Sequence, residues 1–169
     1  MRPGGPPAAD EAWAESQLLE GERSLWRTMP SADRRHAVGV ARRVDEALAG
    51  DTGDAGDTED TVDRRPVLAA ALLHDVGKTV SGLGTYGRVI ATLSAAVGGR
   101  DQAEAWSTTR GFTRNVGLYL RHPELGADQL ARAGSDPFTV ARAREHHLPA
   151  ERWTVPAHLG EILKTADDD

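Results

Sequence analysis

Apolar residues recur along this chain at three- and four-residue steps, in segments set apart by glycine, proline and clusters of acids. No run of four or more residues alternates convincingly with β-branched or aromatic residues, so the pattern predicts an all-α protein. Residues 1 to 9 read as a disordered arm, Asp10 to Glu20 as a first helix with Trp13, Gln17 and Leu18 on one side, and Gly21 as a break. Leu25, Trp26 and Met29 add apolar anchors. After Pro30, Ser31 is placed to cap a helix to about Leu48, and its inward face at helical spacing is His36, Val40, Val44 and Ala47. His36 is therefore expected to point into the protein.

Asp63 is placed to cap the next helix, with Pro66 in its first turn and Val67 to Leu73 apolar all round. This predicts a central, buried helix that ends at His74-Asp75, with Gly77 suited to the C-terminal stop. Further helices are expected at Thr85 to Val97, Asp101 to about Ser107 and Thr113 to Leu120. Pro123 to Ala133 reads as another, preceded by His122 and ended by Gly134, and Pro137 to His147 follows, capped by Asp136 and stopped before Pro149. In a last helix from about Pro156, Leu159, Leu163 and Asp167 fall four apart, so Asp167 rather than Asp168 continues the apolar face.

A length of 169 residues corresponds to one domain, here residues 10–169, a compact single-domain helical bundle. The net charge of −6 belongs to residues 51 to 63, which hold six acids and no base, while the rest of the chain is neutral. That stretch reads as a mobile, solvated loop. A neutral body offers no basic footprint for duplex nucleic acid or anionic lipid, and 18 of the 20 basic residues are Arg. The apolar run from Val67 to Leu73 is too short for a membrane span, and MRPGGPPAAD lacks the apolar core of a signal peptide, so the expected location is cytoplasmic. The four tryptophans, Trp13, Trp26, Trp106 and Trp153, are expected as core or helix-docking anchors, and His158 as a surface residue.

The absence of cysteine excludes disulfides, thiolate nucleophiles and Cys-ligated metals, so a metal site must be built from His, Asp and Glu. Five of the six histidines, His36, His74, His122, His146 and His147, fall at helix ends or on apolar helix faces. Asp75 at the end of a wholly apolar helix would carry a burial cost of several kcal/mol and would face the negative helix terminus. A bound cation removes both penalties.

LLHDVGK resembles the signature of the HD-domain metal-dependent phosphohydrolase superfamily, and the resemblance extends over about residues 31 to 169. It implies an all-α bundle of the HD-domain type that binds metal through His36, His74, Asp75 and Asp167. RHPELGADQL followed by REHH is similar to the HD-GYP branch, in which further histidines hold a second metal, here His122, His146 and His147. Using both members of an adjacent pair requires the helix to unwind, which Leu148-Pro149 favours. After His147 the chain reads LPAERWTVP in place of that branch's Glu and Gly-Tyr-Pro stretch, so the resemblance does not extend to a cyclic dinucleotide site. Ala32 stands where a third metal would want an acid.

The resemblance implies one or two divalent metal ions, which for imidazole and carboxylate ligands means iron, manganese or zinc. It also implies hydrolysis of a small phosphorylated substrate, a nucleotide being the expected one, with Asp75 and Lys78 as catalytic residues. Lys78, three residues past Asp75, reads either as a phosphate partner or as a solvated loop lysine. Arg35 and Arg121, beside His36 and His122, read either as phosphate contacts or as salt-bridge partners of surface acids. A dinuclear iron oxygenase of the same superfamily and a non-catalytic HD signalling or binding module are the alternatives.

Overall fold

The computed structural model describes residues 4–51, 63–82, 106 and 110–168, and the regular elements among the described residues are all helices, with no strand. The helices are α1 (Ala8–Ser16), α2 (Glu20–Thr28), α3 (Ser31–Asp51), α4 (Arg64–Leu73), α5 (Gly111–Leu120), α6 (His122–Arg132), α7 (Pro137–Glu145) and α8 (Ala157–Asp168). Short 3₁₀ helices cover Val76–Ser81 and Ala150–Arg152. The helices expected at Thr85 to Val97 and Asp101 to Ser107, and the acidic loop between Asp51 and Asp63, lie outside the described residues except for Trp106.

The sequence pattern places α4 at the centre. Every residue from Pro66 to Leu73 is buried, with Leu72 and Leu73 fully so, and each buried leucine contributes about 1.5–3 kcal/mol. Asp63 caps the helix by accepting from Arg65 N at 3.1 Å. Helix α3 packs along one side of α4 and α7 along another, where the buried Thr139 Oγ1 donates to Pro66 O at 3.0 Å. Helices α6 and α7 form an antiparallel pair joined at Gly134 (φ +79°), whose turn returns Ser135 N to Leu130 O at 3.0 Å. Helix α8 closes the bundle against α3.

Several expected features change. Helix α1 begins at Ala8 inside the expected arm, and residues 4–7 are ordered against α3, where Arg35 Nη2 donates to Gly5 O at 2.8 Å. Gly21 is no break but the second residue of α2. A Cβ there would meet Ala133 O at 2.2 Å, so the glycine serves the close approach of α2 to the end of α6. Gly77 likewise is no helix stop. It lies inside the 3₁₀ helix, where a Cβ would meet His122 O at 2.0 Å and Gly126 N at 2.7 Å.

On α3 the buried stripe is Ala37, Val40, Ala41, Val44 and Leu48, whereas Ala47 is exposed. At about 100° per residue the stripe is centred near Val44, on the side of Val40 that carries Ala37, Ala41 and Leu48, and His36 and Ala47 both fall on the other side of Val40, at one edge of the stripe. His36 thus stands at the edge of the bundle with 49% of its side chain exposed, and does not point into the interior as its spacing had implied. Trp26 is fully buried and Trp13, Trp106 and Trp153 are partly buried anchors, as expected, and His158 is exposed.

Candidate metal centre

Seven residues expected from the sequence meet at one end of the bundle, in two groups whose potential ligand atoms lie within 4.8 Å of one another: His36, His74 and Asp167, and Asp75, His122, His146 and His147. His36 comes from the second turn of α3, His74 and Asp75 from the turn after α4, and His122 from the start of α6. His146 and His147 come from the turn after α7, and Asp167 from the last turn of α8. Helix α7 ends at Glu145, so both members of the histidine pair leave regular helix, as their adjacency requires. Glycines set the spacing: Gly77 and Gly126 let the 3₁₀ helix and α6 touch through their backbones, which brings Asp75 to His122.

Three histidines are oriented in the same way. His74 Nδ1 lies 2.9 Å from Ala71 O, His122 Nδ1 2.7 Å from Tyr119 O, and His146 Nδ1 2.8 Å from Ala143 O. Each carbonyl belongs to the last turn of a helix, where the regular backbone ladder runs out. A carbonyl can only accept, so each Nδ1 carries a proton and each Nε2 is left to face the centre, where it offers a lone pair whenever the ring is neutral.

Those Nε2 atoms meet carboxylates. Asp75 Oδ1 is 3.4 Å from His122 Nε2 and 3.6 Å from His146 Nε2, and Oδ2 is 3.5 Å from His74 Nε2 and pairs with Lys78 Nζ. Asp167 Oδ1 is 3.0 Å from His36 Nε2 and 3.4 Å from His74 Nε2. His147 Nε2 lies 3.3 Å from His122 Nε2. Asp75 therefore joins the two groups, one oxygen toward each. Asp75 Oδ1 and His146 Nε2 are buried without any hydrogen-bond partner.

Burial acts against charge at Asp75, but His74, His122, His146 and Lys78 outweigh it and hold the carboxyl well below its usual value. Hydrogen bonds from His36 and His74 hold Asp167 low as well. Burial likewise opposes the charged form of His74, but the two carboxylates raise its pKa overall. His146 is lowered by burial, and the enclosed edge of His147 by burial and by His146 and His122, to about 3. Acceptor atoms crowded together, with two of them orphaned, fit a divalent cation shared between carboxylate and imidazole ligands.

Of the expected phosphate contacts, Lys78 is neither a free loop lysine nor open to solvent, being tied to Asp75 with 18% of its side chain exposed. Arg35 is tied to Gly5 O. Arg121 forms the one-residue joint between α5 and α6 beside His122. Two buried charges were not singled out from the sequence. Glu145 accepts from Thr154 N at 2.9 Å, Thr154 Oγ1 at 3.1 Å and Val155 N at 3.1 Å, which fixes the loop that follows His146 and His147. Arg142, one turn before His146, is only 3% exposed. The acid's neighbours in sequence, His146 and His147, were a signal for Glu145, whereas nothing distinguishes Arg142 among 18 arginines.

Comparison of the chain with models of protein families, with curated proteins and with solved structures finds no match. No helix among the described residues is long and apolar enough to cross a membrane.

Proposed function

We propose that this protein is an HD-type metal-dependent phosphohydrolase that hydrolyses a small phosphoester, with a nucleotide as the expected substrate and two divalent ions side by side. The observation that carries the reading is Asp75, whose orphaned Oδ1 faces His122 and His146 while Oδ2 faces His74. One position would be held by His36, His74, Asp167 and Asp75 Oδ2, the other by His122, His146, His147 and Asp75 Oδ1. Ions bound there lower the pKa of water and offset charge developing on a phosphoryl oxygen.

The chain's own residues do the rest. The back-bonded histidines hold their tautomers without reorganisation, because each Nδ1–H is already committed to a carbonyl. The exposed His36 and His147 mark the open side, and the buried His74, His122 and His146 the floor, so substrate enters past His36 and His147. Lys78 holds a positive charge beside Asp75, where a non-bridging phosphate oxygen is an alternative partner.

The test is elemental analysis of protein purified without chelator under argon, followed by phosphatase assays on nucleotides without oxygen. About two equivalents of metal and anaerobic hydrolysis are expected. Turnover that requires oxygen, with iron bound, would assign the centre to an oxygenase. Protein that neither carries nor takes up metal would be a binding module.

A further inference from the structure

Behind the centre, α3, α4, α7 and α8 enclose a small cavity. Its polar lining is His74, Arg142, His146 and Asp167, and its apolar lining includes Val40 and Leu163. The space open to the centre of a water molecule is about 10 Å³, which is at the size that admits one water. Arg142 is 3% exposed and its Nη1 is buried without a hydrogen-bond partner. Leaving such a donor unsatisfied is costly, more so for a charged group.

The acceptors open to Arg142 are few. Its guanidinium stands 5.2 Å from the Trp153 ring, which offers only a π face. Glu145 and Asp167 are the acids whose charge it feels. Both oxygens of Glu145 are engaged by Thr154 and Val155. Asp167 is the carboxylate that lines the cavity, and its contacts with His36 and His74 both fall on Oδ1.

We propose that Arg142 is a positioning residue for Asp167, linked to its Oδ2 through a single water held in this cavity. Arg142 touches neither metal nor substrate in this arrangement. It fixes the carboxylate so that Oδ1 faces His36 and His74, and it satisfies its own orphaned Nη1. The inference rests on reading Asp167 as a metal ligand, but not on the reaction that the centre performs.

The test compares full-length wild type, Arg142→Met and Arg142→Lys by titration with Mn²⁺ or Zn²⁺ alone, with thermal melts of the metal-free proteins alongside. Arg142→Met is expected to weaken one of the two metal equivalents by about 10- to 100-fold while leaving the other unchanged, and Arg142→Lys to recover part of the loss. In the metal-free protein, Arg142→Met and Asp167→Asn should show non-additive shifts in Tm. A lower Tm with unchanged metal affinity and additive shifts would make Arg142 a core residue only and overturn the proposal. A wild type that takes up no metal would overturn both this inference and the functional reading. Weakened metal binding in a protein without phosphatase activity would keep the positioning role and discard the hydrolase.

Discussion

His74, His122 and His146 each spend Nδ1–H on a carbonyl three residues back, in the last turn of a helix. One contact thus satisfies the helix terminus, selects the tautomer and aims Nε2. Asp75 is the residue on which these rings converge, and its roles differ by oxygen. Replacing Asp75 by Ala is expected to release both metal equivalents and to lower hydrolysis by about a hundredfold or more. Replacing His122 by Ala removes a ligand from one group alone, so one equivalent should remain. Metal content by elemental analysis, read beside the phosphatase rate, separates the two variants. An Asp75→Ala protein that keeps both ions would refute the bridging role.

Between elements, the centre depends on backbone contact. The 3₁₀ helix meets α6 at Gly77, where an added Cβ would lie 2.0 Å from His122 O, and a backbone oxygen cannot swing aside as a side chain can. Gly77→Ala should cost about 1–3 kcal/mol or more by overpacking and should also cost metal, since it pushes Asp75 away from His122. Gly21→Ala forces a comparable clash with Ala133 O at 2.2 Å, but where α2 meets the far end of α6, so it should lower Tm with metal stoichiometry unchanged. Equal metal loss in both variants would mean that general loosening, not local geometry, empties the site. These same glycines show the limit of reading the sequence. A glycine between apolar runs reads as a break, but whether it ends a helix or admits a neighbouring backbone depends on packing. Most of the described helices were legible, because α4 is apolar all round and Asp63, Gly134 and Asp136 mark helix ends by side chain or by φ. The pattern carries the first helix to Glu20, however, where α1 ends at Ser16, and it shows α2 only as apolar anchors. The cluster was legible because His74-Asp75, His122, His146 and His147 fall at helix ends and because LLHDVGK and REHH resemble known signatures, which also pointed to His36 and Asp167. His36 was found as a member of the site but given the wrong exposure, since periodicity fixes a face only to within a fraction of a turn. Arg142 left no trace in the pattern, because its significance lies in the cavity it shares with Asp167.

Across the whole molecule, five chain segments must come together for the seven candidate ligand residues to meet, so metal bound there would be coupled to folding. An ion present at about a hundred times its Kd stabilises the fold by about 2.7 kcal/mol, which in a chain of this size is a rise in Tm of about 5–10 °C. Acid should remove this gain. His146 is held below a free imidazole by burial and by His74 and His122, and His147 falls to about 3 by burial and by His146 and His122. Below about pH 6.5 the unfolded chain takes up protons that the folded chain refuses, so stability falls with pH. Asp75 and Asp167, held low by the histidines around them and, at Asp75, also by Lys78, act in the same direction below about pH 4. His74 acts in the opposite direction, because its raised pKa favours the folded state at low pH. It is one imidazole against two, and its proton sits where a metal would bind. The metal-free protein should therefore lose Tm progressively below about pH 6.5, and above that pH should lose the His74 contribution as pH rises through that group's raised pKa. The increment from added Mn²⁺ or Zn²⁺ should be large at pH 7.5 and reduced at pH 5.5, since His74, with its raised pKa, then carries a proton on the Nε2 that a metal would take, whereas His147 at about 3 does not. Thermal melts across pH, with and without metal, measure both. An increment that does not depend on pH would mean that the ion binds somewhere other than these imidazoles.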